Sequence, residues 1–195
     1  MLLGVDVGGT FTDAVLVNNG IIIKQAKVKT TQEEVLQGIL QALDIVLSGN
    51  ELDAISRVVV SSTIVTNALT EGKTEPVFLA VMAGPGMSTK GRFPTEPYLA
   101  EGYVDHRGQI IKKASVNEKI VEAMAAGKAV AAVSGKFAVR NQKNEQDLRV
   151  KLKETGFKKI FMGSEISGEL NFVRRTNSAY FSAAVYNKFK EFIGQ

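Results

Sequence analysis

The chain has no cysteine and no tryptophan, and His106 is its one histidine among 195 residues. Without cysteine there is no disulfide, no thiolate nucleophile and no Cys-ligated zinc. One histidine excludes a multi-histidine metal site. Charge of a single sign is also scarce. The net charge is +4, from 24 basic and 20 acidic residues that are well mixed, too mild a balance to point at nucleic acid. Lys151, Lys153, Lys158 and Lys159 read as a solvated face. No apolar run reaches the roughly 18 residues of a membrane span, and no basic-then-apolar leader precedes Leu2. The expectation is a soluble cytoplasmic protein with neither nucleic acid nor membrane as a partner.

What is present is ordinary globular material, 45% apolar and 23% charged, enough for one domain with or without an appendage. Leu2–Val7, Ala14–Val17 and Ile21–Val28 read as three strands of a meander. Asn19-Gly20 between the last two is a strong hairpin signal. Thr31-x-x-Glu34 is a capping-box pattern. It opens a helix with Val35, Leu36, Ile39, Leu40, Leu43, Val46 and Leu47 on one face, stopped at Gly49.

Beyond it, Val58-Val59-Val60 reads as a short buried strand, 63–70 as one or two helical turns and Val77–Met82 as a buried strand. The Gly/Pro/Ser-rich stretch 83–98 is a long loop, and 102–111 a small hairpin around Arg107-Gly108 with His106 near its tip. Ser115-x-x-Glu118 caps a helix that ends at Gly127. Residues 129–133 form a strand, 143–155 a charged helix closed by Gly156, 159–163 a last strand. Asn171–Ile193 reads as one final helix with Phe181, Val185, Phe189 and Phe192 in a stripe. The order predicts an α/β fold, a mixed sheet with a three-stranded antiparallel meander and flanking helices.

One stretch, GVDVGGTFTDAVLV at 4–17, carries chemistry. A core strand gains nothing from a lone Asp6. Two glycines let backbone amides approach an anion closely, or take positive φ. Threonine hydroxyls add donors without charge. A carboxylate beside such a loop reaches phosphate through Mg²⁺ and its waters, because Mg²⁺ prefers oxygen ligands and stays hydrated. Asp6 with Gly8, Gly9, Thr10 and Thr12 is a coherent Mg-phosphate set. No Lys-Ser/Thr follows and the next element is a strand, so the loop is neither a Walker loop nor a dinucleotide fingerprint.

The same stretch resembles the first phosphate motif of the actin-like ATPase superfamily. With GGTFTD intact it looks like the N-terminal region of the hydantoinase/5-oxoprolinase family. SSTIVTNALTEGK, 61–73, is similar to that family's Ser-Thr-Thr-x-x-Thr-Asn-Ala-Leu block; 132–149 and 174–180 are weaker likenesses. The resemblance implies a ribonuclease-H-like half over 1–195 with 83–113 as an inserted loop and hairpin. The second phosphate loop and the adenosine-binding region are expected in a C-terminal half or partner subunit. It implies ATP-driven opening of a cyclic amide by phosphoryl transfer to an amide or carbonyl oxygen and attack of water, with ATP and Mg²⁺ as cofactors.

Carried over, Asp6 holds Mg²⁺, and Asp13 is either a second metal or water partner or a turn residue. Gly8, Gly9, Thr10, Phe11 and Thr12 form the phosphate loop. Thr63, Thr66 and Asn67 hold substrate or orient water, or else Ser61, Ser62 or Thr63 caps a helix. Arg174 and Arg175 read as solvated or as contacts to a partner, and His106 as surface. The stretch 83–102 departs from the family's Gly-Phe-Arg-Asp and Ile-Gly-Arg-Gln pattern, which leaves the substrate ring open, as the sequence leaves the oligomeric state, a homo-oligomer included. A non-catalytic nucleotide-binding or regulatory subunit of the same fold is the alternative. A two-metal nuclease ranks last, since only Asp6 and Asp13 can be placed of the carboxylates it requires.

Overall fold

Strands β1 (Leu2–Val7), β2 (Phe11–Asn18) and β3 (Ile21–Lys29) form the expected antiparallel meander in the computed structural model, which describes residues 1–30, 35–49 and 52–194. Thr31 and Glu34, the capping-box pair, lie outside the described residues. Asn19 and Gly20 both have positive φ, 48° and 79°, the conformation that matches a two-residue turn to the twist of its strands. Helix α1 (Val35–Val46) follows, then β4 (Arg57–Ser62) parallel to β1, then the short helix α2 (Ile64–Thr70). The sheet order is β3-β2-β1-β4. Alternation decides its faces. Leu3, Val5, Val7, Ala14 and Leu16 are buried in one cluster with α1, while Gly4, Asp6, Asp13 and Val15 turn to the other face.

Two expectations about this unit fail. Helix α1 seats Val35, Gly38, Ala42 and Val46, and leaves Leu36 and Leu40 exposed. The small residues Gly38 and Ala42 lie on the buried face, where a Cβ on Gly38 would make an ordinary contact, 3.6 Å, with the Lys29 carbonyl. The valines of β4 are not buried. Val58, Val59 and Val60 are 57%, 42% and 57% exposed, because β4 is the sheet's edge.

The remaining strands belong to a second compact unit, 74–187, while 1–73 and 188–195 make the first. The mixed sheet expected from the sequence is β3-β2-β1-β4, antiparallel in the meander and parallel between β1 and β4, and the later strands form sheets of their own. In the second unit β5 (Val77–Met82), β6 (Tyr98–Leu99), β7 (Glu101–Val104), β8 (Ile110–Ser115), α3 (Glu118–Ala125) and β9 (Val130–Gly135) come in that order. Then follow α4 (Lys143–Glu154), β10 (Lys159–Met162), a one-turn helix α5 (Gly163–Ile166) and α6 (Phe172–Ala184); α7 (Tyr186–Ile193) lies mostly in the first unit. A parallel sheet β10-β9-β5-β6 lies at its centre, with β7-β8 as a separate hairpin. Every residue of β5 and β9 is buried, as a sheet packed on both faces requires.

Three local readings change here. Ser115 does not cap α3; it ends β8 and donates to Glu101, while the Asn117 side chain accepts from the Ile120 amide. The single helix 171–193 breaks at Val185, where residues up to 187 pack with the second unit and those from 188 belong with the first. Phe181 and Phe189 stay exposed. Arg174 pairs with Glu169 at the surface, but Arg175, expected to be solvated, is fully buried. Its guanidinium donates to the carbonyls of Gly135, at 2.7 Å, and Glu169. Among the described residues no helix is long and apolar enough to cross a membrane.

Near Arg175 lies a second buried charge that the sequence did not announce. Glu145 is 0% exposed and accepts from the amides of Gly135 (2.7 Å) and Ser164 (3.1 Å) and from the Ser164 hydroxyl. Burial raises its carboxyl above the ordinary range, and these donors and the Arg175 charge pull it back only in part. Glu145→Ala is expected to cost on the order of 3 kcal/mol of stability, since three donors lose their acceptor. The raised folded pKa sets the sign with pH. The stability linked to it is present below the ordinary carboxylate pKa and is lost as pH rises through the folded value. Urea titrations of wild type and Glu145→Gln across the acid range should therefore diverge with pH; parallel curves would refute this.

Candidate functional site

The turn between β1 and β2 is closed by one hydrogen bond, from the Gly8 amide to the Phe11 carbonyl, 2.9 Å. Gly9 and Thr10 form its tip. Neither Gly8 nor Gly9 has positive φ, so left-handed backbone is not what calls for glycine. Space is. A Cβ on Gly8 would lie 2.8 Å from the Phe11 carbonyl oxygen, and one on Gly9 would lie 3.2 Å from Asn67 Nδ2. The Gly8 amide, expected to serve phosphate, is engaged within the hairpin. The amides of Gly9 and Thr10 make no hydrogen bond among the described residues, and the Thr10 carbonyl accepts from the Thr30 amide at 2.8 Å.

Strand alternation separates the two threonines. Thr10 is exposed at the tip. Thr12 is 0% exposed, and its hydroxyl shares a 2.8 Å hydrogen bond with that of Thr30 beneath α1. The expected Thr12 contact to a ligand is thus replaced by an internal one. Phe11 is 45% exposed, with Lys27 Nζ 5.1 Å from its ring centre.

Asp6 and Asp13 face each other across β1 and β2 on the sheet's uncovered face. Directly opposed carboxylates repel. Here each has a partner on its outer side: Ser61 donates to Asp6, and Lys27 lies 2.6 Å from Asp13. A concavity of about 530 Å³ runs over this row, lined by Asp6, Asp13, Gln25, Lys27, Val59 and Ser61. A separate concavity of about 360 Å³ adjoins the turn, with Gly8, Gly9, Thr10, Asn67, Lys73 and Lys188 in its lining. The residues expected to make one magnesium-phosphate site are therefore spread over a turn tip and the sheet face behind it.

Of the second motif, Asn67 lies against Gly9, and its Nδ2 also lies 3.5 Å from the Thr63 hydroxyl; the Thr63 amide donates to the Val7 carbonyl at 3.2 Å. Thr66 spends its hydroxyl on the Thr63 carbonyl, 2.9 Å, and Thr63 is exposed with no capping bond. Ser62 accepts from the Ile64 amide instead. His106 is exposed in a turn where Asp105 accepts from the amides of Arg107 and Gln109. Lys73 and Lys188 were not among the expected site residues. Lys73 ends the 61–73 block and could have been read from it; Lys188 carries no signal in sequence. Each pairs locally, with Glu71 and Glu191. Among the described residues no group of three or more His, Cys, Asp or Glu is placed to hold a metal ion, so the carboxylate set of a two-metal nuclease is not found there.

A model of the hydantoinase/oxoprolinase N-terminal region matches residues 2–156. Two solved structures share the fold. One is a nucleotide-free acetone carboxylase, from work on the mechanism of ATP-dependent acetone carboxylation. Its TM-score is 0.73 at 19% identity, with 98% of this chain and 34% of that chain covered. The other is an ATP-dependent caprolactamase from Pseudomonas jessenii, with TM-score 0.69, 19% identity and coverage of 100% and 33%. Identity this low speaks for the fold alone. This chain spans about a third of the length of each. No curated protein sequence matches it.

The roles of the two threonines separate in a stability measurement. Thr12→Val leaves the buried Thr30 hydroxyl without its partner and is expected to cost about 1–3 kcal/mol in urea unfolding. Thr10→Val at the exposed tip should stay within about 0.5 kcal/mol of wild type. Equal effects would mean that the Thr12–Thr30 bond does not hold the turn.

Proposed function

The chain belongs to the hydantoinase/oxoprolinase N-terminal-region family, and on that premise we propose that it is the N-terminal part of an ATP-dependent hydrolase of cyclic amides whose β1–β2 turn takes the phosphates of Mg-ATP. One observation carries this reading. Two adjacent backbone amides at the turn, Gly9 and Thr10, have no hydrogen bond among the described residues, and opposed carboxylates stand on the strands that lead into it. Such amides favour anions, and opposed carboxylates favour a divalent cation.

The donor set fits the pair of cofactors. Gly9 and Thr10 amides and the Thr10 hydroxyl would donate to phosphate oxygens. Asp6 stands two residues before Gly8, roughly 7 Å along the strand, so it would hold Mg²⁺ through water, with Asp13 as its neighbour. Lys27 keeps Asp13 oriented, and Thr12 keeps the turn in shape from below. Asn67, beside Gly9, would border the phosphates or the substrate, and Lys73 would lend them positive charge. When bound, ATP would supply a phosphoryl group to the amide or carbonyl oxygen and so open the amide carbon to water; the ring C–N bond would then break, with the nitrogen taking a proton and leaving as an amine and the phosphoryl group ending as inorganic phosphate. The chain's own part is to position and neutralise charge. Turnover would need the C-terminal part that the two solved relatives contain. A non-catalytic nucleotide-binding subunit of this fold is favoured instead if that part restores binding but no hydrolysis.

Calorimetric titration with Mg-ATP tests the turn. Asp6→Asn is expected to weaken binding at least about tenfold, or 1.4 kcal/mol, and omitting Mg²⁺ should bring wild type to the same level. Unchanged affinity in a folded Asp6→Asn variant would remove Asp6 from the site.

A further inference from the structure

On the magnesium-phosphate reading of the turn proposed above, we infer that Lys27 is a resident cation at the Asp6–Asp13 pair. It keeps free divalent metal off these carboxylates, so that metal enters only with the phosphates that carry it.

Register builds the arrangement. Ser61, Asp6, Asp13 and Lys27 stand opposite one another on β4, β1, β2 and β3, one residue from each strand of the sheet. All four line the concavity of about 530 Å³ on the uncovered face. Within this row Ser61 donates to Asp6. The Lys27 ammonium reaches both oxygens of Asp13, at 2.6 and 2.7 Å. The same ammonium lies 5.1 Å from the centre of the Phe11 ring, and an aromatic face attracts a cation. Two anchors on β2 thus hold one lysine against one carboxylate.

Charge then sets the condition. Each carboxylate attracts a divalent ion, and the ammonium repels it twice as strongly as it would a single charge. Among the described residues no third His, Cys, Asp or Glu is placed to join the pair. On the β3 side of Asp13, where a further oxygen ligand would strengthen a metal site, the register puts an ammonium, which has donors and no acceptor. Phosphate reverses the balance. Its charge offsets that of Lys27, and its oxygens supply ligands, the usual manner in which Mg²⁺ is held by one or two carboxylates together with phosphates. A metal that arrives on phosphate meets net attraction in a place where a free metal meets a lysine.

Metal binding without nucleotide tests this and involves no turnover. Mn²⁺ alone serves as the probe, because it takes the same oxygen ligands as Mg²⁺ and its unpaired electrons broaden the NMR signals of nearby amides. The 195-residue chain is titrated as wild type, as Lys27→Met, as Lys27→Arg and as Lys27→Met combined with Asp13→Asn. The Lys27 side chain is 60% exposed, so these changes leave the core undisturbed. Lys27→Met is expected to bind Mn²⁺ at least about tenfold more tightly than wild type, with broadening centred on Asp6 and Asp13. Lys27→Arg keeps the charge and should bind as wild type does, and the added Asp13→Asn should abolish the gain. Equal affinity in Lys27→Met and wild type overturns the inference. So does an equal gain in Lys27→Arg, which would make the shape of the side chain and not its charge the cause. Either result leaves the phosphate reading in place while Asp6→Asn still weakens Mg-ATP binding; loss of that effect sinks the reading itself.

Discussion

The hydrogen bond from the Gly8 amide to the Phe11 carbonyl governs the first unit. It closes a two-residue turn that only a residue without a Cβ can make, and so locks Val7 opposite Thr12 and Asp6 opposite Asp13. Side chains alternate along a strand, so this one register sends Leu3, Val5, Val7, Thr12, Ala14 and Leu16 beneath α1 and both carboxylates to the uncovered face. A slip by one residue would bury the aspartates and expose the leucines. The same bond engages the Gly8 amide within the hairpin and leaves the amides of Gly9 and Thr10 without a hydrogen bond among the described residues. The register of the sheet and the exposure of the Gly9 and Thr10 amides thus come from one piece of geometry.

The second unit solves a different problem. Its central strands are covered on both faces, so polar groups at their ends cannot turn to solvent. Most are satisfied internally, although Arg175 Nε and Asn177 Oδ1 are buried without a partner among the described residues. Glu145 takes the amide of Gly135, the last residue of β9, and that of Ser164 just after β10, and Arg175 donates to carbonyls of Gly135 and Glu169. Thr176 and Ser134 share a further buried hydroxyl pair, 2.8 Å apart. Gly163 fits because a Cβ there would lie 2.7 Å from the Ser134 hydroxyl. A buried charge is costly unless it is hydrogen-bonded and faces an opposite charge, and Glu145 meets both conditions in part.

Much of this was legible in the residues. The meander, the Asn19-Gly20 turn, β5, β9, β10 and the charged helix α4 stand close to where periodicity and turn chemistry put them. Local signals failed where a neighbour decided the outcome. Leu36 and Leu40 belong to the apolar stripe of α1, yet the helix seats Val35, Gly38, Ala42 and Val46 and leaves both leucines exposed. An apolar run such as Val58–Val60 reads the same in the middle of a sheet as at its edge. Ser115 and Asn117 both offer a capping side chain, and pairing of Ser115 within the hairpin leaves the cap to Asn117.

The sequence by itself determined the family, the strand-turn-strand that carries GGTFTD, and the chemistry it can offer, because residue type and spacing suffice for those. Tertiary structure decided which donors remain for a ligand. Register turned Thr12 inward to Thr30, the turn consumed the Gly8 amide, and packing of α2 brought Asn67 to Gly9 while leaving Thr63 and Thr66 aside. It also divided the strands between two sheets and left β4 at an edge. The physical reason is common to all of these. Availability of a hydrogen-bonding group or an apolar face depends on what lies across from it, and residues far apart in the chain set that.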